Sequence, residues 1–531
     1  MERRPRWELW IPALSAVLCA AGALWWGERL QLQPFDDALI TLRAALNWAS
    51  GHGPVFNPGE RVESTTSPLW TSLLALGIRL GADPIALLAG GGVLFAAAAG
   101  ALSSMLAFEA AGPIAGATAG AFIAMLPTWS AWALTGMEVP LAGFALALAA
   151  WAALRRRPAL TGLLAAVAAS ARPEALALVP VLVLGLALAA DPQRRTRVAA
   201  TAVTFVALPL VALFVARHAY FGSWLPNTYA AKRGGLGWIG IARGLQYVGA
   251  FALLHAPIVA AVGWSLWLRR RSESFIAVLC IGFGAAVAWE GGDHFSNYRL
   301  LAPALPLASA LCGIAVARLP RRSVAIAALC GSAAVPALVG IVGPFGTFAH
   351  AMPGPERLAK EAIFTANARE VGEALAILPP GTVATTAIGA IGYYSRRPIL
   401  DLVGLADAHI ARSPHLPGVV PGHDHADVDY VLSRRPEYAL FVPQLTKDVL
   451  DGDSEERWLV RLRPYFLSSL LLLGDPRFAS SYTPLVLRFA DGRHLRIWMR
   501  NDLARRYGAE SSASSVPSSA VSASPDSFLS R

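Results

Sequence analysis

Two adjacent carboxylates, Asp36 and Asp37, follow Pro34-Phe35 near the start of the chain. Such a pair can divide two tasks, one taking a proton from a hydroxyl and the other binding a metal or orienting that hydroxyl. The plainer alternative is that an Asp after Pro34 caps the amphipathic helix that carries Leu39, Leu42 and Leu46. Four more polar motifs interrupt apolar sequence: Thr135-Gly-Met-Glu138, Ala171-Arg172-Pro-Glu174, Leu225-Pro-Asn227-Thr-Tyr229-Ala-Ala-Lys232, and Glu290-Gly-Gly-Asp293-His294-Phe-Ser-Asn-Tyr-Arg299. Ionisable groups at a membrane boundary are costly unless paired or hydrated, so their gathering on one face would mark a polar cavity. Each has a plainer reading as well. Glu138 and Glu174 suit the first turn of a helix, and Lys232 and Arg299 could extend charged tips to lipid headgroups. Asp293 and His294 together with Asp37 leave a divalent cation open, but nothing in the sequence requires one. His423-Asp424-His425 with Asp427 imitates a ligand cluster and, in a loop rich in Pro and Gly, reads as solvated.

The elements that must position these groups are set by composition. Of 531 residues, 55% are hydrophobic and 15% charged, where a soluble globule usually has about a quarter charged. The chain belongs in a bilayer. A net charge of +10 does not indicate a nucleic-acid partner, because the basic residues form short clusters between apolar runs. Cys19, Cys280, Cys312 and Cys330 lie inside those runs with no ligand spacing, so neither a disulfide framework nor a zinc site is expected of them.

Runs of spanning or near-spanning length are 9–26, 84–108, 112–127, 139–154, 158–171, 173–190, 198–217, 248–268, 274–290, 299–317 and 323–343, eleven in all. The stretch 68–80 is shorter than the ~17 residues a span needs and is placed as a helix on the outer leaflet. With the N-terminus inside, this count puts Arg3/Arg4/Arg6, Arg155–Arg157, Arg194/Arg195/Arg197, Arg269–Arg271 and Arg321/Arg322 on the cytoplasmic side. The polar motifs then face outward. The first run lacks a convincing cleavage site before Gly27 and is read as an uncleaved span.

Three regions follow: a transmembrane domain over 1–343 with a first outer loop at 27–83, an outer α/β domain over 344–508, and a Ser/Ala-rich tail over 509–531 that cannot bury a core. Within the outer domain, 361–378 reads as a helix. Segments 383–387, 399–403 and 438–442 read as strands, and 485–499 as a hairpin about Asp491-Gly492.

The order of the motifs carries a resemblance. The double Asp is followed by Gly51-His-Gly-Pro-Val-Phe-Asn-Pro-Gly-Glu-Arg-Val-Glu63 and Ser67-Pro-Leu-Trp70. Then come Gly-Met-Glu138, Arg172-Pro-Glu, Pro226-Asn-Thr-Tyr-Ala-Ala-Lys232, Gly-Gly-Asp293 with Arg299, and Tyr393-Tyr-Ser with Asp401 and Gly404-Leu405. This series resembles the mycobacterial terminal β-arabinofuranosyltransferases, of the GT-C superfamily. The resemblance departs at Ser64-Thr-Thr and at His294-Phe-Ser-Asn-Tyr, which leaves the donor sugar open. It implies an α-helical polytopic membrane protein with an outer α/β domain. It also implies a sugar donor carried on polyprenyl phosphate, a glycan or glycolipid acceptor, membrane lipid as the medium, and transfer with inversion. Asp36 would be the base on the acceptor hydroxyl and Asp37 its partner. Lys232 and Arg299 would hold the departing phosphate, Glu138 would contact sugar or acceptor, and Arg172, Glu174, Asn227, Tyr229, Asp293 and His294 would line the donor site. A multi-pass inner-membrane location with the site outside goes with it.

Two rival classes share the composition. A lipid-linked sugar transporter would show paired motifs in two related halves, and none is evident in the sequence. A non-catalytic envelope assembly protein would use the Asp pair only as a cap.

Overall fold

The structure, a computed structural model, describes residues 10–232, 237–293, 295, 297–333, 355–416, 422–447, 451–461, 463–489 and 491–506. The expected tail and much of the expected span 323–343 lie outside the described residues, as does His294. The chain divides into two compact units, one formed by 1–38, 66–224 and 236–362, the other by 39–65, 225–235 and 363–531. A division read along the sequence placed one boundary at 343. The structure instead collects two pieces of the first half into the second unit.

The first unit is built from apolar helices. Among the described residues, four are long and apolar enough to cross a membrane: Trp10–Leu30, Pro84–Ala111, Pro192–Phe221 (its first turn 3-10) and Arg271–Trp289. They are apolar on all faces, the pattern of a helix surrounded by hydrocarbon and other helices. Leu14, Val17 and Leu24 on the first, and Leu208 and Val211 on the third, stay exposed. Helix faces that meet are lined by small residues. A side chain at Gly92 would run into the carbonyl of Ala133, one at Gly100 into Cys19, and one at Gly120 into Ser15. Close backbone approach of this kind is how helices associate where lipid removes the hydrophobic incentive.

Two of the eleven expected runs contain a sharp bend. The run 248–268 is not one helix: Gly237–Leu254 and Ala256–Trp267 meet at 94°. Pro257, at the second position of the later helix, has no N–H to continue the ladder. Likewise Pro113–Met125 and Pro127–Leu134 meet at 65°. Runs 139–154, 158–171, 173–190 and 299–317 are helical, as Val139–Leu154, Pro158–Ala171, Pro173–Ala189 and Ala302–Arg318. At ~1.5 Å per residue each falls short of ~30 Å of hydrocarbon. Among the described residues, length and composition alone support four crossings, or up to six if each bent pair is one span. The stretch 68–80 is the short helix Pro68–Arg79, as expected.

The second unit contains a five-stranded sheet of order β2-β1-β3-β5-β4, comprising β1 (Val383–Thr385), β2 (Ile399–Asp401), β3 (Tyr438–Ala439), β4 (Tyr482–Arg488) and β5 (His494–Arg500). Strand β1 runs parallel to β2 and β3, and β5 is antiparallel to β3 and β4. The hairpin turns at Gly492, whose φ of 80° favours glycine. Two side chains from the early loop complete this unit. Asn57 acts like an extra strand edge: its amide nitrogen donates to the Ile399 carbonyl (2.8 Å) and its oxygen accepts from the Ile399 N–H (3.1 Å). Buried Arg43 donates to the carbonyls of Phe56, Gly392 and Arg397 and to Asn57. Burial lowers its pKa to about 10, opposed by Glu60. These bonds explain why 39–65 folds with the C-terminal half.

Candidate active site

The helix Asp36–Ala49 begins at Asp36, so both aspartates occupy its first turn, where the helix dipole favours negative charge. Phe35 fixes the entry. Its N–H donates to the Thr135 carbonyl (2.9 Å), and its ring stacks on Phe295 and meets Trp132 edge-on. The capping expectation is thus half met: the carboxylates belong to the helix start, yet Asp37 is turned to another task. Its Oδ2 accepts from Nη1 of Arg299 at 3.2 Å. Nε and Nη2 of Arg299 donate to the two oxygens of Asp293 at 2.8 and 3.1 Å, a bidentate fork. The guanidinium also lies over the Phe295 ring, 4.2 Å from its centroid.

Arg299 and Asp293 are buried, whereas the Asp37 side chain keeps 30% of its surface. The pair is therefore anchored on one side and open on the other. Arg299 is no headgroup anchor, being 6% exposed and engaged by two carboxylates. The same guanidinium bridges Asp37 and Asp293 and offsets one of their two negative charges.

A second buried group joins Glu138, Arg172 and Glu174. Arg172 forks onto Glu174 and donates to Glu138 at 2.5 Å. Glu138 precedes the helix Val139–Leu154 but does not cap it with its side chain. The extended Arg172, held between Pro158–Ala171 and the 3-10 turn Pro173–Leu178, brings the two glutamates together. Arg172 opposes and Glu138 supports the charge on Arg299, so the two groups act on one another electrostatically. In this unit Asp36, Asp37, Glu138, Arg172, Glu174, Asp293 and Arg299 form one polar system among apolar helices.

Asn227, Tyr229 and Lys232 belong to the other unit, on the short helix Asn227–Lys232. Asn227 is spent on structure: its amide donates to the Gly404 carbonyl at 2.7 Å and its oxygen accepts from Arg412 at 3.2 Å. Tyr229 is exposed and the Lys232 stem lies against Gly422.

Sequence reasoning treated Glu361 only as the start of a helix. In the structure the helix Pro355–Ala376 places Leu358 and Ala362 in the same core cluster as Phe35 and Ala38, and Gln33 donates to the Ala362 carbonyl at 2.6 Å. Burial, then the charges of Asp37 and Asp36, with Asp293 adding and Arg299 opposing, push the Glu361 carboxyl up to about 7. A carboxyl of that affinity beside the aspartates can take or give a proton near neutral pH. No sequence signal marked it.

The raised value has a consequence for stability. Between the ordinary carboxylate pKa and about 7 the folded chain holds a proton that the unfolded chain has released. Stability therefore falls as pH rises through that window, and the penalty is full above it. Glu361→Gln should melt higher than the wild type at pH 8 and close to it at pH 4.5; an equal gain at both values would show that no proton is involved.

The sequence cluster at 423–427 is also rearranged. Expected as solvated, it is largely buried, because Asp424 and His425 are 6% and 1% exposed. His423 turns to the Tyr465 carbonyl, and Asp427 caps the helix Val428–Arg434 while pairing with His409.

Comparisons with known proteins agree with the resemblance read from the motifs. A family described as "Domain of unknown function (DUF8728)" matches residues 359–491. The terminal beta-(1->2)-arabinofuranosyltransferase of Mycobacterium tuberculosis is 31% identical over 359 residues, 56% of this chain and 54% of that protein. The protein of the same name from Corynebacterium glutamicum is 44% identical over 66 residues, 12% of this chain and 10% of that one. The chain thus spans about half the length, or less, of these curated relatives. Among solved structures, ArnT from Cupriavidus metallidurans bound to undecaprenyl phosphate aligns with a TM-score of 0.57 at 16% identity, over 93% of this chain and 98% of that one. AglB from Archaeoglobus fulgidus, an archaeal oligosaccharyltransferase in complex with an inhibitory peptide and a dolichol-phosphate, aligns with a TM-score of 0.53 at 13% identity, over 93% and 74%. At 13–16% identity these likenesses bear on the fold alone, and they support a polytopic membrane fold.

Proposed function

We propose that the chain is a membrane glycosyltransferase that moves a sugar from a polyprenyl-phosphate donor to a glycan or glycolipid hydroxyl, on the extracytoplasmic side of the inner membrane. The observation that carries the reading is the half-exposed Asp37, beside Asp36 in the first helical turn and held by Arg299, which Asp293 anchors in turn. The acceptor oxygen attacks the anomeric carbon as the bond to phosphate breaks, with inversion through an oxocarbenium-like state. Asp36 takes the hydroxyl proton, and the bond electrons leave with the lipid phosphate. Asp37 orients the hydroxyl and is itself kept in place by Arg299. That guanidinium, which the resemblance casts as a phosphate clamp, is engaged by carboxylates, so we assign it first to positioning. The resemblance leaves Lys232 as the cation for the donor phosphate.

Glu138, Arg172 and Glu174 stiffen the apolar helices around the pair. The similarity to arabinofuranosyltransferases supports transfer over lipid-linked sugar transport or a purely structural role. The test uses purified chain in lipid nanodiscs with polyprenyl-phosphate pentoses and hexoses and a panel of envelope glycans. Transfer with release of polyprenyl phosphate is the expected result. Movement of intact donor across the bilayer without cleavage would replace this reading with transport.

A further inference from the structure

We propose that His415, Asp424 and His425 form a zinc site in the second unit, one that sequence spacing does not reveal. An isolated antiparallel bridge pairs His415 with His425, and the Leu416 N–H donates to the Asp424 carbonyl at 2.7 Å, so His415 converges with Asp424 and His425 from nine and ten positions away. One ligand atom from each lies within 4.8 Å of the others.

The hydrogen bonds around these atoms fit metal ligation. His425 Nδ1 is 2.7 Å from the Ser413 carbonyl, which can only accept, so Nδ1 carries the proton and Nε2 presents its lone pair. That Nε2 is buried and, among the described residues, has no hydrogen-bond partner. A buried nitrogen left so has lost its hydration with no bond in return. One oxygen of Asp424 accepts from the Gly422 N–H at 3.0 Å, while the other is 3.2 Å from Nδ1 of His415. Ligation of a histidine whose second nitrogen donates to a carbonyl, and of a carboxylate held by a backbone amide, is the usual outer-shell arrangement of metal sites.

The distances suit zinc. Two ligands each ~2.0–2.1 Å from a tetrahedral ion stand about 3.4 Å apart, close to the His415–Asp424 separation of 3.2 Å. An ion pair between those two residues alone would leave His425 Nε2 unanswered. Two imidazoles select zinc over the hard cations calcium and magnesium. His415, with 43% of its side chain exposed, gives the ion an entry route and leaves a fourth position to water. The ion would fasten the two ends of the segment 415–425 on the sheet-bearing unit.

The experiment takes full-length, tag-free protein in detergent, strips it with a chelator, and titrates it with zinc alone and with cobalt as a visible probe. The expected result is one ion per chain, a tetrahedral cobalt spectrum, and a rise in melting temperature with zinc. His425→Gln and His415→Gln should each weaken zinc by about 100-fold or more, since even a lost outer-shell partner costs 10–100-fold. Because His415 is exposed, its variant should keep the wild-type melting temperature without metal and lose only the zinc-induced rise. Absence of zinc binding by the wild type, or undiminished binding by a folded His415→Gln chain, overturns the proposal.

Discussion

Asp36→Asn should lower glycosyl transfer by about 100-fold or more, the scale on which a general base contributes, while the protein melts as the wild type does. The substitution keeps size and polarity in the first turn of Asp36–Ala49, where Asn is also well tolerated. It leaves Asp37 on Arg299 and Arg299 on Asp293. The basic oxygen is replaced by an amide. Turnover within a few-fold of wild type would reduce Asp36 to a helix-start carboxylate and remove the proposed base. Asp37→Asn should differ in kind, because it also weakens the contact that positions the pair, so loss of rate there should come with a lower melting temperature.

Arg172→Met should destabilise the first unit by about 3–5 kcal/mol, the usual cost of stranding buried charge when one partner of an ion pair is removed. The cost arises because Glu138 and Glu174 are both buried and both turn to this one guanidinium. Melting in detergent measures it. Restoring neutrality in the triple variant Arg172→Met, Glu138→Gln, Glu174→Gln should recover much of the loss, since a group of coupled charges does not behave additively. If Arg172→Met alone melts with the wild type, the three residues are not a structural unit. Their place would then be with the substrate.

Local chemistry was legible in the sequence wherever neighbours along the chain decide the outcome. The Asp491-Gly492 turn and its strands were readable because a left-handed glycine and alternating side chains fix a hairpin within a few residues. The short helix Pro68–Arg79 followed from its length between proline and glycine. The charged motifs set in apolar sequence announced a polar system, because charge in apolar sequence demands a partner.

What the sequence could not supply was the identity of those partners. Asp37 and Arg299 are 262 positions apart, Gln33 reaches Ala362 across 329, and Arg43 reaches Gly392 across 349. No periodicity encodes such pairs. Hydropathy likewise reports what can be buried in lipid, whereas Pro257 and the 94° bend decide where a helix stops. Burial and the nearby aspartates likewise push the Glu361 carboxyl up to about 7, and an isolated antiparallel bridge brings His415 to His425 beside Asp424. By itself the sequence determined the apolar phase, the acidic pair and its helix. Only the tertiary structure decided which charges meet, because the cost of an unpaired charge in a low-dielectric interior is settled by three-dimensional packing and not by position along the chain.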